Sequence, residues 1–273
     1  MQQIRTVGLI GLGRMGRPIA RHVAAAGFEV FGYDPDEASA QADADGIGIT
    51  ARAADVAERS DLVIVVVGFE GEVEAALFGS DGMAGSLRPG AMLAVASTVS
   101  PSYTTALPAR LAETGVRLVD IPLSRGEAAA EEGRLLVYAG GAEADIDACR
   151  PVLDCFSEHV FRLGDVGAGQ AAKAVNNMLL WTCLAANVEG MAFAERFGID
   201  PEALRAALLH GSGANWALET RADERPALWA EKDMMILLGE ADRARIAMPV
   251  AGTVKEAIKA FKIARGLPMP EGG

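Results

Sequence analysis

The feature that limits the fold most is a change of period near the start of the chain. Ile4 to Ile10 is a short apolar run, GLGRMG follows as residues 11–16, and a helical pattern then runs to Gly27. An apolar run of strand length that enters a glycine turn and leaves as a helix predicts strand, turn, helix. Gly11, Gly13 and Gly16 make G-x-G-x-x-G in that turn, and each has a mechanical task. The first permits the tight turn, the second lets the backbone approach a pyrophosphate, and the third lets helix and strand pack closely. The amides that open the helix face the anion. FEVFGYD is the second strand, and Asp34 at its end lies 18 residues after Gly16, where a carboxylate accepts hydrogen bonds from both adenosine ribose hydroxyls. Strand, turn, helix and acid together define a dinucleotide site that the glycines alone do not. Asp34 and Asp36 repel a 2′-phosphate, and no arginine right after the strand clamps one, so NAD is expected over NADP.

The alternation continues through DLVIVVV (Asp61 to Val67), AMLAVAS (Ala91 to Ser97) and VRLVDIP (Val116 to Pro122), with helical stretches between. Strands that are apolar at every position predict a parallel sheet covered on both faces. After about Leu163 the character changes, and the stretch from Gly169 to Gly198 reads as one helix of nearly thirty residues that crosses a domain boundary. Pro201 suits the first turn of the next helix, with Asp200 as its N-cap. Helical patterns recur around Glu231 to Arg243 and Val250 to Arg265, and GLPMPEGG at the end reads as a loose tail. The expected architecture is α/β: a Rossmann dinucleotide-binding domain over 1–163, and an all-α domain over 164–273 joined to it by the long helix.

Composition narrows the partners. The chain has 25 basic and 37 acidic residues, a net charge of −12, which repels phosphate backbones and anionic membrane surfaces. Neither nucleic acid nor membrane is an expected partner. Cys149, Cys155 and Cys183 lack metal-type spacing, so neither a disulfide framework nor a metal site is expected, and a reducing cytoplasm fits. The first apolar run is short, broken by glycines and followed by Arg14 and Arg17, unlike a signal peptide or membrane span. His22, His159 and His210 are scattered, and no serine sits in a G-x-S-x-G elbow, which argues against a hydrolase.

One lysine stands apart. In VGAGQAAKAVNN, residues 166–177, Lys173 is the sole charged side chain among Gly, Ala and Val, and Asn177 shares its helix face four residues on. If partial burial and a nearby positive charge lower its pKa from about 10.4, the amine can accept a proton near neutrality. Asn177 can orient a hydroxyl or the lysine without adding a countercharge. The competing reading is a surface lysine with its head in water.

Four segments in order, VGLIGLGRMGRPIA, STVSP (Ser97 to Pro101), DIPLSRGEAAAEEG (Asp120 to Gly133) and GAGQAAKAVNN, resemble the β-hydroxyacid dehydrogenases of the 3-hydroxyisobutyrate dehydrogenase type. KDMMILL from Lys232 looks like a fifth, and the likeness covers nearly the whole chain. The resemblance implies a cleft between a Rossmann and a helical domain where a nicotinamide meets a small hydroxy acid. It places Lys173 on the catalytic lysine, Asn177 on its companion, and Ser124, Arg125 and Gly126 on the loop that holds the substrate carboxylate. Ser97 and Thr98 match residues beside the nicotinamide, and Lys232 matches a lysine that reaches the cofactor. Gly11, Leu12, Gly13, Arg14, Met15, Gly16, Asp34, Val67 and Gly68 complete the expected cofactor set. Trp216, in the glycine-rich GSGANWAL between helices, is either a lid over the substrate or simple packing.

Two departures stand out. Where the family usually shows Ser-Gly-Gly, this chain has Arg125 in the middle, either pairing with a substrate carboxylate, sulfonate or phosphate, or facing solvent, or pairing with Glu127 or Glu131. The chain also ends soon after Gly266, where relatives generally continue into a short helix, so the oligomer is expected to differ accordingly. The resemblance implies an NAD-dependent oxidoreductase acting on a small β-hydroxy acid, with Lys173 as general acid/base, in a homodimer or homotetramer. Two alternatives stand: a reductase of the same family acting on a semialdehyde such as tartronate semialdehyde or a sulfonated analogue, and a non-catalytic NAD(H)-binding sensor or scaffold. Imine reductases generally carry another residue at the lysine position, and 6-phosphogluconate dehydrogenase has a longer helical domain.

Overall fold

Six parallel strands are laid down in the order β3, β2, β1, β4, β5, β6. They are β1 (Thr6–Ile10), β2 (Glu29–Tyr33), β3 (Ile47–Ile49), β4 (Leu62–Val65), β5 (Met92–Val95) and β6 (Arg117–Asp120). The structure is a computed structural model and describes residues 3–36, 46–221 and 229–268, so the end of the expected tail, from residue 269, lies outside the described residues. Strand order reverses between β1 and β4, whose carboxyl ends, Ile10 and Val65, are register partners. A ligand crevice opens outside the strand ends at such a reversal.

Alternate strand residues feed two cores. Val7, Leu9, Leu62, Ile64, Met92 and Ala94 pack with Ile19, Ala20 and Val23 of α1 (Gly16–Ala25). Ile10, Val63, Val65, Leu93 and Val95 pack on the other face with Val56 of α2 (Ala53–Arg59), Leu77 of α3 (Glu70–Phe78) and Leu107 of α4 (Pro101–Arg110). Since successive strand side chains point to opposite faces, a strand covered on both sides must be apolar throughout.

Beyond β6 the sheet changes sense. β8 (Leu135–Gly140) meets Asp120 of β6 and then β7 (Leu123–Ser124) along one edge, both antiparallel, and β9 (Ser157–Gly164) lies parallel on its other side. Pro122 interrupts the β6–β7 edge, and its carbonyl accepts the Tyr138 amide at 3.1 Å. α5 (Gly126–Glu131) and α6 (Glu143–Leu153) make the intervening connections. The mixed end of the sheet adds to the parallel sheet expected from the apolar runs, and it is what carries Ser124.

The chain divides into two compact units between Lys173 and Ala174, inside the single 28-residue helix α7 (Ala168–Glu195). The second unit is helical among its described residues: the rest of α7, α8 (Pro201–Leu208), α9 (Trp216–Thr220), α10 (Ala230–Ala244) and α11 (Pro249–Ala264). Trp181 and Leu184 pack with Met234, Leu237, Ala251 and Ile258. A buried Lys262–Glu231 pair, 2.8 Å long, joins α11 to α10. Asp200 caps α8 by accepting the Ala203 amide at 2.8 Å, as its place before Pro201 predicts. Among the described residues no helix is long and apolar enough to cross a membrane.

Candidate active site

The three glycines of the first turn meet three different constraints. Gly11 has φ +96°, and a Cβ there would lie 2.4 Å from the Val66 carbonyl oxygen. A Cβ on Gly16 would fall 1.9 Å from the Gly11 carbonyl oxygen, so the helix start rests directly on the turn. At Gly13 a Cβ would meet nothing within 4 Å. The protein itself does not require glycine there, and the bare backbone faces open space of the kind a pyrophosphate fills. The residues present therefore fit a dinucleotide. Asp34 ties the end of β2 to this turn: its Oδ2 accepts the Leu12 amide at 2.7 Å and its Oδ1 the Asp36 amide at 2.9 Å. The Leu12 side chain is buried in the core, Met15 packs half-buried against it, and Arg14 is exposed and paired with Glu127 at 3.2 Å.

At the ends of β4 and β5, the Ser97 hydroxyl is used within the sheet. It accepts the Val67 amide at 2.8 Å and donates to the Val65 carbonyl at 3.3 Å. The amides of Gly68 and Phe69 go to the Glu72 carboxylate, which caps α3. Thr98 follows, half-buried.

Sequence reasoning left two positioning residues of this unit unassigned. Asp120, buried at the end of β6, accepts the backbone amides of Gly167 at 2.7 Å and Gln170 at 2.8 Å, and so anchors the start of α7. Burial pushes its carboxyl above the usual aspartate range, against the downward pull of those backbone donors. Gln170 donates to the Ser97 carbonyl at 2.8 Å and accepts the Val99 amide at 3.1 Å. Gly169 is needed for this closeness, since a Cβ there would sit 2.5 Å from the Tyr138 carbonyl oxygen. The available signal was a carboxylate ending an apolar strand, opposite a helix start with amides to satisfy.

This anchoring sets Lys173 one turn into α7. Its amine is partly buried and donates to Ser124 Oγ at 3.1 Å. Ser124 is buried on β7, and its hydroxyl is also bonded to the Tyr138 phenol. Burial raises the Tyr138 pKa, although Ser124 and the Arg125 charge both oppose the rise. Arg125 itself has φ +87°, a left-handed conformation that glycine adopts more readily. Its guanidinium pairs with Glu158 and donates to the Arg134 carbonyl at 3.1 Å. Of the three alternatives open for Arg125, pairing with Glu127 or Glu131 is not found, because those two carboxylates pair with Arg14 and Arg21. Gly126, also at positive φ, opens α5.

In the second unit, Asn177 donates from Nδ2 to Asp233 Oδ2 at 2.8 Å, and the Trp181 indole donates to the same oxygen at 2.9 Å. A carboxylate only accepts, which fixes the amide's orientation. Asp233 and Trp181 were also missed, though Asp233 stands next to Lys232 in KDMMILL. Lys232 is largely buried, 3.9 Å from Asp233 Oδ1 and 5.4 Å over the Trp229 ring. Trp216 lies on a helix, as the first residue of α9 capped by Asn215, half exposed and with the Arg221 guanidinium 5.1 Å over its ring.

A Rossmann sheet with an open pyrophosphate turn, feeding a helix that carries a partly buried amine, places the chain among the dinucleotide-dependent oxidoreductases. The profile described as the NAD binding domain of 6-phosphogluconate dehydrogenase matches residues 6–164, and that described as the NAD-binding region of NADP-dependent 3-hydroxyisobutyrate dehydrogenase matches 167–268. An L-threonate dehydrogenase of Cupriavidus necator is 33% identical over 264 residues, 92% of this chain and 89% of that protein. Human mitochondrial 3-hydroxyisobutyrate dehydrogenase is 35% identical over 78% of this chain and 64% of its own. The crystal structure of a 3-hydroxyisobutyrate dehydrogenase from Salmonella typhimurium superposes with a TM-score of 0.85 at 30% identity, covering 95% of this chain and 94% of that one. The chain belongs to the β-hydroxyacid dehydrogenase family and is a nicotinamide-dependent dehydrogenase of hydroxy acids.

Proposed function

We propose that the chain oxidises the alcohol of a short β-hydroxy acid, 3-hydroxyisobutyrate or a near relative, with Lys173 as the proton acceptor and NAD preferred over NADP. The observation that carries this reading is the Lys173 amine, partly buried and 3.1 Å from the Ser124 hydroxyl. Gly11 to Gly16 hold the pyrophosphate, Asp34 takes the ribose hydroxyls and repels a 2′-phosphate, and Val67, Gly68, Ser97, Thr98 and Lys232 serve the rest of the dinucleotide. When bound, the nicotinamide supplies the two-electron acceptor for the alcohol carbon's hydrogen. The neutral Lys173 amine takes the hydroxyl proton as the carbonyl forms, and its ammonium returns a proton in the reductive direction. The Ser124–Gly126 segment cradles the carboxylate, with the Gly126 amide donating to it, and the Asn177 amide orients the hydroxyl. Arg125 is left to hold the loop through Glu158, which favours a substrate with one anionic group over a sulfonated or phosphorylated semialdehyde. The apolar groove along Met191, Phe193, Phe197, Ile199 and Leu204 supports a homodimer or homotetramer, which sedimentation of the intact chain reads.

Lys173→Ala is expected to lower turnover at least about 100-fold while NADH still quenches the protein's fluorescence. The assay uses a panel of 3-hydroxy acids including L-threonate, the matching aldehydes, and both NADH and NADPH. Substantial activity in that variant ends the assignment, and NADH binding with no turnover on any substrate points to a sensor instead.

A further inference from the structure

Ser124 lies between two groups. On one side the Lys173 amine donates to its oxygen at 3.1 Å, and on the other stands the Tyr138 phenol. The backbone dictates this neighbourhood. Ser124 is opposite Leu136 in the antiparallel β7–β8 pair, so Tyr138, two residues further along β8, is its diagonal neighbour on the same face, within reach of an aromatic side chain. Tyr138 is also pinned through its main chain. Its amide donates to the Pro122 carbonyl, and its own carbonyl lies against Gly169 at the start of the lysine helix. Ser124 is only 7% exposed, so water is a poor substitute for the phenol.

We propose that Tyr138 is a positioning residue for this reaction, aiming the Lys173 amine through the Ser124 hydroxyl. The inference rests on the reading of Lys173 as the proton carrier. Its physical content is the polarity of a three-member chain. An ammonium can only donate, so with Lys173 protonated the order is Lys173 to Ser124 to Tyr138. A neutral amine keeps two N–H donors, so it still donates to Ser124 in the same order, and its one lone pair stays open to the substrate hydroxyl. Both protonation states of the lysine are satisfied with no heavy atom moving, so the amine holds one position through oxidation and reduction alike. Phenylalanine at 138 would keep the ring and the strand but leave Ser124 with one partner, and the amine would lose its fixed bearing.

The test is a double-mutant cycle of Tyr138→Phe and Ser124→Ala. Tyr138→Phe is expected to lower kcat about 10-fold with the substrate KM within about twofold and the melting temperature unchanged. In the Ser124→Ala background the same change should cost nothing further in kcat. An unchanged kcat in Tyr138→Phe, a loss confined to KM, or an equal loss in both backgrounds overturns the proposal. Lys173→Ala run in parallel separates the two readings. If that variant is inactive and the cycle is additive, only the role of Tyr138 fails. If it is active, the lysine assignment fails first.

Discussion

Two buried carboxylates, one in each unit, do different work with the same chemistry. Asp120 in the first unit uses both oxygens, one for the Gly167 amide and one for the Gln170 amide. Asp233 in the second takes the Asn177 amide and the Trp181 indole on one oxygen, Oδ2. The donors to Asp120 are main chain, at a helix start whose amides lack intrahelical partners and whose dipole favours a negative charge. That carboxylate therefore fixes the path of the chain that leads to Lys173. The donors to Asp233 are side chains, so it fixes the orientation of one amide. The first acts on the main chain of the fold, and the second acts on side chains of the candidate site.

The contrast breaks or holds on isosteric substitution. Asp120→Asn puts an NH2 group against one of two inward-facing amides, because both oxygen positions are in use. Stability should fall by about 3 kcal/mol, read from denaturant unfolding. A loss under about 1 kcal/mol would mean that the helix start finds other acceptors and the contrast is false. At Asp233 the same change keeps both donors satisfied, since an asparagine carbonyl can occupy the Oδ2 position, and what it removes is the carboxylate charge 3.9 Å from the Lys232 amine. Asp233→Ala removes the acceptor of Asn177 Nδ2 and leaves its Oδ1 held by the Asn176 amide alone, and kcat/KM should drop about 10-fold. Recovery of most of that loss in Asp233→Asn identifies orientation as the cause. Equal losses in the two variants would show that the charge itself matters.

What could be read from the sequence follows the range of the interactions. The glycine turn, the five long apolar strands and the long helix depend on neighbours within a few residues, and period and turn chemistry reveal them. β9 could not be read so, because most of its residues are exposed, as His159 and Phe161 are, and its strand state comes from pairing with β8. Arg125 shows the same limit at one side chain. Local spacing offered Glu127 and Glu131, but the partner is Glu158, 33 residues on, while the two nearer carboxylates answer to Arg14 and Arg21, each more than a hundred residues away in sequence. Lys173 was legible because a charge among alanines and glycines is conspicuous. Asp120 and Gln170 were not, although both lie in the same quoted segments, because their importance lies in main-chain amides that no residue type advertises. Trp216 was misplaced for a nearby reason: the glycines before it suggested a loop, and the cap by Asn215 turns the chain into a helix there.

The smallest effect tests why Asp120 is there as a carboxylate at all. Two causes oppose each other at this residue, burial raising its pKa and four backbone donors lowering it, and burial prevails, so the folded value lies above the ordinary aspartate value of 3.8. At Asp61 the balance falls the other way. Burial again raises, but the Arg5 and Thr6 amides, the Thr6 hydroxyl and the Arg88 charge lower, and the folded value lies below 3.8. The linkage signs are therefore opposite. For a raised acid the stability is fully present below the unfolded pKa and is lost as pH rises through the folded one. For a depressed acid it is present above the unfolded pKa and is lost as pH falls through the folded one. The melting temperature of the wild type minus that of Asp120→Asn should shrink as pH rises upward from 3.8, whereas the difference from Asp61→Asn should shrink as pH falls below 3.8. If both differences grow with pH, the amides at the helix start outweigh burial, and Asp120 belongs with Asp61 as an ordinary stabilising anchor whose charge the fold welcomes.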